Sequence, residues 1–334
     1  RSRHMAMTTQ ISIPGLELRP FDPDRDVPAL VELIVDAHLH DGIDWLPTEE
    51  SLRVEFAHLP EFDPRRDVRL AWVDDTLVAA TETHVRMREG VAVHHLEGWV
   101  RPSWRQRGLG RRLLEWAEAR AREVAAVDGR TCPRALSAWP DETQAGAVAL
   151  YAAAGYEVIR ATFLMIRDLT APIADEPLPE GLEVRSVRPA DHRRIWDADV
   201  EAFQDHWGRV ERTEADYQGW FANPDLDTRL WQVAWDGDEV AGSVMTFIYT
   251  KENEALGVAR GSLDHVSVRR SWRKRGLASA LITRSLLDLR GRGMQEAVLG
   301  VDAENVTGAL RLYERLGFRR ARTDLCFRKE LVPR

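Results

Sequence analysis

The chain has 334 residues, 44% of them hydrophobic and 30% charged, and a formal net charge of −8. This is the composition of a globular protein of about two domains, and its acidic balance argues against the basic surface that nucleic-acid binding needs. No apolar run approaches the ~18 residues of a membrane span, and two cysteines are too few for a disulfide framework. We therefore expect a cytoplasmic protein without a nucleic-acid or membrane partner. The end segments RSRHM and LVPR are typical of expression tags.

The first predicted elements are a short strand and a helix that begins at an aspartate. They lie within residues 13–34, and two β-rich runs follow, joined by a hairpin turn signal at residues 74–75. A second strand and helix lie within residues 178–200, and their β-rich runs meet at residues 236–237. The same order of elements occurs twice, which indicates an internal repeat of domain size.

Each copy continues with an arginine-rich, glycine-containing turn that opens an amphipathic helix. The turn reads RPSWRQRGLGRRLL at residues 101–114 and RRSWRKRGLASALI at residues 269–282. A helix N-terminus offers unpaired N–H groups and about half a positive charge, and glycine lets the backbone approach an anion closely. A pyrophosphate fits such a turn. A single motif of this kind is common by chance, but here it follows a strand, opens a helix and occurs twice.

Both copies close with a Leu-Tyr-x-x-x-Gly-aromatic pattern, at residues 150–156 and 312–318. Between the copies lies a proline-rich segment without periodicity, residues 168–181. We therefore predict an N-terminal domain over residues 13–167, a linker over 168–181 and a C-terminal domain over 182–331. Because strands alternate with helices and also form hairpins, each domain should be a mixed sheet with helices on both faces.

These motifs resemble the GCN5-related N-acetyltransferases, the GNAT family. The family signature [RQ]-x-x-G-x-[GA] at the start of a helix is matched by residues 105–110 and by residues 273–278. As a tandem pair, the chain is similar to the group of acetyltransferases that contains the mycothiol synthases. The resemblance implies an α/β fold of two GNAT-like domains, each a mixed, mostly antiparallel twisted sheet flanked by helices. It also implies acetyl-coenzyme A as the cofactor.

The same resemblance implies coenzyme A contacts in both copies. In the second copy they fall on Val268, Arg273, Lys274, Arg275, Gly276, Leu277, Ala278 and Asn305. In the first copy they fall on Val100, Arg105, Gln106, Arg107, Gly108, Leu109, Gly110 and Tyr151. The position aligned with Asn305 holds Thr143 in the first copy, which departs from the family pattern.

An acceptor amine needs a base, because its reference pKa near ~10.4 leaves it mostly as ammonium at neutral pH. The family places the base on the strand before the turn, where Asp264 is our candidate. Strand alternation puts Ser262 and Asp264 on one face and His265 on the other, and a β-bulge would bring His265 round. The alternative role for Asp264 is a structural ion pair. Tyr313 is our candidate acid for the leaving thiolate, and a core tyrosine is its alternative.

The first copy has a less complete set of candidates. An ungapped alignment of the two copies places Leu96 opposite Asp264, which leaves His94 or Glu97 as a base. Glu97 would face away unless its strand bulges. We therefore expect catalysis mainly in the second domain and a degenerate, cofactor-binding first domain. The alternatives for the first domain are action on a second substrate and a purely structural role.

The acceptor should lie near the first helices of each copy, where residues 41–56 and 204–221 combine acidic and aromatic side chains. A cationic or amino-sugar-like acceptor suits these segments, and a solvated loop is the alternative. We predict an acyltransferase that moves an acetyl group from acetyl-coenzyme A to a primary amine of a small molecule, by direct attack in a ternary complex. The alternatives are a non-catalytic acyl-coenzyme A sensor or scaffold, and acetylation of a protein or peptide amine. Tandem transferases that use aminoacyl-tRNA are disfavoured by the acidic balance.

Overall fold

The computed structural model describes residues 13–304 and 308–332. The predicted RSRHM tag, the end of LVPR and the predicted contact Asn305 lie outside the described residues. None of the described helices is long and apolar enough to cross a membrane.

Within the described residues the backbone forms one twelve-stranded sheet and ten α-helices. The strands are β1 (Leu16–Pro20), β2 (Val68–Val73), β3 (Thr76–Arg88), β4 (Val91–Val100), β5 (Arg134–Ala138), β6 (Glu157–Asp168), β7 (Glu183–Val184), β8 (Gln232–Asp236), β9 (Glu239–Phe247), β10 (Arg260–Val268), β11 (Glu296–Asp302) and β12 (Arg319–Glu330). The helices are α1 (Val27–Asp41), α2 (Glu49–His58), α3 (Pro64–Asp67), α4 (Leu109–Val127), α5 (Ala145–Ala153), α6 (His192–Ala202), α7 (Glu214–Phe221), α8 (Thr250–Leu256), α9 (Leu277–Gly291) and α10 (Ala309–Arg315).

The repeat is confirmed in the strand pairing. The hairpins β2–β3 and β8–β9 lie where the turn signals predict them, and each is followed by an antiparallel partner, β4 or β10. β4 then pairs with β5, and β10 with β11, in parallel. The sheet is therefore mixed and mostly antiparallel, as predicted.

The last strand of each half lies in the sheet of the other half. The strand order is β1-β2-β3-β4-β5-β12-β6-β11-β10-β9-β8-β7. β6 pairs with β11 of the second half, and β12 pairs with β5 of the first half. Residues 169–182 connect the halves without a helix or strand. The division at residues 167 and 182 stays a prediction, and hydrogen bonds between strands cross it.

Helix α1 shows how local sequence places a helix on the sheet. A proline stands in its first turn, and the helix ends at Gly42, whose φ of 70° is the left-handed conformation that favours glycine. Its buried face holds Leu30, Leu33 and Ile34, which pack with Leu70 of β2. Burial of each such side chain contributes about 1.5–3 kcal/mol.

Candidate active site

In each half, two parallel strands separate after a short paired stretch. β4 pairs with β5 only as far as His95↔Ser137, and β10 pairs with β11 only as far as Ser262↔Val298. Beyond these pairs the two strands are no longer hydrogen-bonded to each other, so that each half has a gap between them. We call these gaps the first opening and the second opening. An extended arm of a ligand can enter such an opening and hydrogen-bond to the strand backbone.

The two glycine turns have the same backbone conformation. Gln106 and Lys274 have φ values of 60° and 61°, and Gly108 and Gly276 have φ values of 81° and 84°. No side chain caps the first turn of α4 or of α9. A Cβ added at Gly276 would meet nothing within 4 Å. The amides of α9 therefore face open space at a helix N-terminus, which suits a pyrophosphate.

The arginine that begins each family signature, Arg105 or Arg273, already forms contacts within the protein. Arg105 donates to the carbonyl of Val100 at 3.1 Å and forms an ion pair with Asp41 at 2.5 Å. Arg273 makes the equivalent bonds to the last residue of β10 at 2.9 Å and to Asp205 at 2.6 Å. These guanidinium groups hold each turn against its strand and the preceding helical segment.

The other members of the two motifs divide by exposure. Leu109 and Leu277 are buried and anchor the helices in the core. The remaining polar side chains are exposed, namely Gln106, Arg107, Lys274 and Arg275. Their contacts with coenzyme A, like those of Gly110 and Ala278, stay predictions.

Strand β10 contains a β-bulge at Asp264. In the pairing with β9, Leu263 lies opposite Thr246 and His265 lies opposite Met245, so Asp264 has no partner of its own. A bulge of this kind turns two successive side chains to the same face. The regular alternation that would put Asp264 and His265 on opposite faces is therefore wrong, and the β-bulge given as its alternative is present.

The bulge also corrects the alignment of the two halves, because β4 pairs with β3 without interruption. Leu96 is buried among side chains of α4, and its counterpart is Leu263, which packs with α9. Leu96 therefore does not take the place of Asp264, because the bulged residue is an insertion. On the opposite face of β4, Glu97 lies just beyond the last β4–β5 pair.

His94, the other candidate base of the first half, lies on the face of β4 that Leu96 shares. It is 1% exposed, and burial together with the charge of Arg134 lowers its pKa to about 4. His94 is therefore a neutral core histidine. Glu97 is the remaining candidate in the first half.

Asp264 lies just beyond the last β10–β11 pair, at the mouth of the second opening. Its side chain is exposed on one side, and its carboxylate accepts hydrogen bonds from the hydroxyls of Tyr249 and Ser262. Burial by the surrounding protein raises the pKa of Asp264 above its ordinary value, although the two hydroxyl bonds act in the opposite direction. A raised pKa makes the carboxylate a better proton acceptor.

His265 is held beside Asp264 by two helices. Its Nδ1 lies 2.8 Å from the carboxylate of Asp199 on α6, and its ring centre lies 4.6 Å from that of Trp220 on α7. These contacts give His265 a structural partner on the same face as Asp264.

The tyrosines of the two closing patterns occupy equivalent helices. Tyr313 on α10 is buried against Phe318, and burial raises its pKa to about 12. Tyr151 on α5 packs against Phe327 of β12, and burial and the nearby charge of Glu97 raise its pKa. Both hydroxyls therefore carry their protons at neutral pH, as a proton donor must.

A cleft of about 660 Å³ lies between the two halves. Asp264 lines this cleft, together with parts of both segments in which we expected the acceptor: residues 44–48 of the first, and Ala215, Asp216, Gly219 and Trp220 of the second. The expected aromatic side chains that line it are Trp45 and Trp220.

Four carboxylates of the cleft form no ion pair within residues 13–304 and 308–332: Glu55, Asp225, Glu252 and Asp264. Burial and neighbouring carboxylates raise the pKa of Glu55 to about 8 and that of Glu252 to about 7. A cationic ligand would offset the cost of these charges.

The loop between α1 and α2 of the first half forms part of the wall of the second half's site. Asp44 forms ion pairs with Arg260 of β10 and with Arg322 of β12. The backbone N–H of Leu46 donates to Glu252 at 3.2 Å. The sequence-based site lacked Tyr249, Glu252 and Arg260. Glu252 and Arg260 meet the first half across 206 and 216 positions, and Tyr249 meets Asp264 across 15, and no local pattern marks either kind of contact.

Comparison with known proteins decides the family. The family model of the GNAT acetyltransferases matches residues 28–156 and, a second time, residues 192–318. The chain belongs to the GNAT family. It is therefore an acyltransferase that uses acetyl-coenzyme A, and its tandem arrangement is confirmed.

Several relatives match this GNAT protein over most of its length. The mycothiol acetyltransferase of Salinispora tropica is 34% identical over 299 residues, which cover 88% of this chain and 89% of that protein. A GCN5-related N-acetyltransferase from Sphaerobacter thermophilus is 26% identical, with a TM-score of 0.72 over 96% of this chain and 97% of the other. A tandem GNAT protein from the clavulanic acid biosynthesis pathway has a TM-score of 0.69 at 20% identity, covering 96% and 99% of the two chains, and shares the fold.

Proposed function

We propose that the protein transfers an acetyl group from acetyl-coenzyme A to the primary amine of a small molecule bound in the cleft, by direct attack in a ternary complex. The observation that carries this proposal is the position of Asp264. Its carboxylate stands at the mouth of the second opening and faces the cleft, on the strand that leads into the second glycine turn.

One part of the site would bind the cofactor, and another would transfer the protons. The turn around Gly276 and the N-terminus of α9 would hold the pyrophosphate, and the second opening would admit the thiol-bearing arm. Acetyl-coenzyme A, when bound, supplies a thioester carbon for the acceptor nitrogen to attack. In this role Asp264 takes the proton of the arriving ammonium, and Tyr313 donates its hydroxyl proton to the departing sulfur.

Tyr249 and Ser262 position the base. Both donate to the carboxylate of Asp264, so the group has a fixed orientation before the acceptor arrives. Tyr249 is itself fixed by stacking on Phe247, with ring centres 5.5 Å apart and planes within 6°. We assign Tyr249 and Ser262 a positioning role in the second half.

The cleft favours a cationic acceptor, because its unpaired carboxylates are stabilised by a positive charge. Its volume of about 660 Å³ lies within the range of small-molecule sites. The name of the Salinispora relative, mycothiol acetyltransferase, agrees with a small-molecule acceptor.

A thiol-release assay with acetyl-coenzyme A tests the proposal. We expect release with primary amines such as glucosamine and spermidine, with the acetylated acceptor identified by mass spectrometry. N-acetylglucosamine is the matched control, because its nitrogen is already acylated. A chain that binds acetyl-coenzyme A yet acetylates no small amine would contradict the proposal. Turnover with a lysine peptide alone would support a protein acceptor, and binding without any turnover would support a sensor.

A further inference from the structure

We propose that the first half is a second acetyl-transfer centre, in which Glu97 is the base and Tyr151 the acid. The proposal rests on the function proposed above and extends it from one site to two.

The first half has the same cofactor geometry as the second. The first opening begins after His95↔Ser137, the turn around Gly108 has the backbone conformation of the turn around Gly276, and the first turn of α4 is uncapped by any side chain. A ligand that binds the opening and the turn of the second half can therefore bind the equivalent opening and turn of the first half.

Glu97 lies at the mouth of the first opening, as Asp264 lies at the mouth of the second. It lies two residues beyond the last β4–β5 pair, and its side chain is exposed. In the described part of the chain, no group donates a hydrogen bond to its carboxylate. Glu97 needs no bulge to reach this face, because the unbroken alternation of β4 sets Leu96 toward α4 and Glu97 away from it.

A second carboxylate lies directly beside Glu97. Glu82 of β3 is its register partner, so both side chains share one face of the sheet. Glu82 is 4% exposed, and Nδ1 of His84 lies 3.6 Å from its carboxylate, but burial lowers the pKa of His84 to about 4, so this histidine brings no positive charge at neutral pH. Like charges directly opposite each other destabilise a sheet, and a cation bound between them removes that cost. An acceptor ammonium is such a cation.

The acidic pair is connected to the cleft between the halves. Glu55 lines that cleft, and the charges of Glu82 and Glu97 contribute to its raised pKa. Although one side of Glu97 is exposed, the protein around its carboxyl group and the charge of Glu82 raise its pKa to about 7, which suits a base at neutral pH. Glu55, Glu82 and Glu97 therefore form a cluster of carboxyl groups between the cleft and the first opening.

Tyr151 completes the set on the other side of the opening. It lies on α5, which follows β5, and the charge of Glu97 contributes to its raised pKa. In the transfer, Glu97 takes a proton from the ammonium, and a nitrogen–carbon bond forms while the carbon–sulfur bond of the thioester breaks. Tyr151 protonates the leaving sulfur and regains a proton from the acylated nitrogen, so that one proton is released per turnover.

Two variants isolate the halves. Gly276→Glu places a carboxylate where the second pyrophosphate would lie and leaves the first half as the only centre. Gly108→Glu does the reverse. Titration calorimetry with coenzyme A counts the sites, and thiol release is measured with every amine that the parent chain acetylates. We expect the Gly276→Glu chain to bind one coenzyme A and to acetylate at least one of these amines.

Adding Glu97→Gln to the Gly276→Glu chain should lower that transfer by ~10²-fold or more without changing the coenzyme A count. Glu123→Gln, an exposed glutamate of α4, is the matched control and should change neither. A Gly276→Glu chain that binds no coenzyme A, or that shows no transfer sensitive to Glu97→Gln, overturns the inference. An inactive Gly108→Glu chain contradicts instead the assignment of Asp264, so the two failures are distinguishable.

Discussion

The two halves differ most in the strand that precedes the glycine turn. β10 bulges at Asp264 and thereby turns Asp264 and His265 to one face, where Asp264 lines the cleft, whereas β4 is regular and presents Glu97 by simple alternation. The openings and turns that would hold the cofactor are the same in both halves. The two halves thus share the geometry of the cofactor site and differ in how the strand presents a carboxylate.

The surroundings of the two carboxylates differ as well. Asp264 is held by two hydroxyl donors, and the β9 residues opposite the bulge are Thr246 and Met245. Glu97 has the carboxylate of Glu82 beside it. The second half therefore orients its base with hydrogen bonds, and the first half places a second carboxyl group beside its base. The following predictions test that comparison.

The largest effect is expected from separating the halves. Because β6 and β12 each lie in the other half's sheet, residues 13–167 alone should fail to fold, as should residues 182–331 alone. The two fragments produced together should associate and recover the sheet. Circular dichroism of each fragment and of the pair measures this. Independent folding of either fragment would show that the exchange of strands is dispensable.

The next effect is the loss of one coenzyme A site. Gly276→Glu and Gly108→Glu should each reduce the number of sites from two to one in titration calorimetry, because each puts a negative side chain at a helix N-terminus suited to an anion. Gly293→Glu is the matched control, since Gly293 has a similar φ of 86° and equally open surroundings after α9. If either turn variant still bound two coenzyme A molecules, the pyrophosphate would not bind at that turn.

Replacement of the proton donor should cost less than loss of a site. In the Gly108→Glu chain, Tyr313→Phe should lower kcat by ~10²-fold and leave the affinity for acetyl-coenzyme A nearly unchanged, because the hydroxyl acts only as the sulfur departs. In the parent chain, Tyr151→Phe should cost less, since the second half continues to work. Tyr217→Phe on α7 serves as the control. An unchanged kcat in Tyr313→Phe would make this tyrosine a packing residue.

The smallest effect concerns stability. Burial raises the pKa of Glu82 to about 7, so the folded state binds a proton that the unfolded state has released at neutral pH. Stability should therefore fall as pH rises from about 4.5 through 7. Glu82→Gln removes this loss and should stabilise the protein at pH 8 by about 3 kcal/mol, with a much smaller effect at pH 5. Thermal unfolding at both pH values measures it, and an equal shift at both would contradict the assigned pKa.

Local signals in the sequence account for the repeat, the hairpins and the glycine turns. Turn residues and helix starts are set by neighbouring positions, so residues 74–75 and the motif at 105–110 could be placed without a structure. The bulge at Asp264 could not, because the run LDHVSV has the alternation of a regular strand as well as of a bulged one.

Contacts between residues far apart in the chain could not be predicted from the sequence, for a different reason. The two closing strands have similar patterns, and nothing local decides which sheet each joins. The pair Asp44–Arg260 joins residues 216 positions apart, and only the folded chain brings them together. The sequence therefore predicted the cofactor turns and the acceptor segments separately. It did not predict the cleft between the halves in which they meet.

Steady-state kinetics of Asp264→Asn in the Gly108→Glu chain test the central claim most directly. Asparagine keeps the shape of the side chain and removes the proton acceptor, so kcat/KM for a primary amine should fall by ~10²-fold or more, most strongly at low pH where few amines arrive deprotonated. Asp288→Asn on α9 is the control and should be without effect. An unchanged kcat/KM in Asp264→Asn would contradict the account and make Asp264 a structural carboxylate.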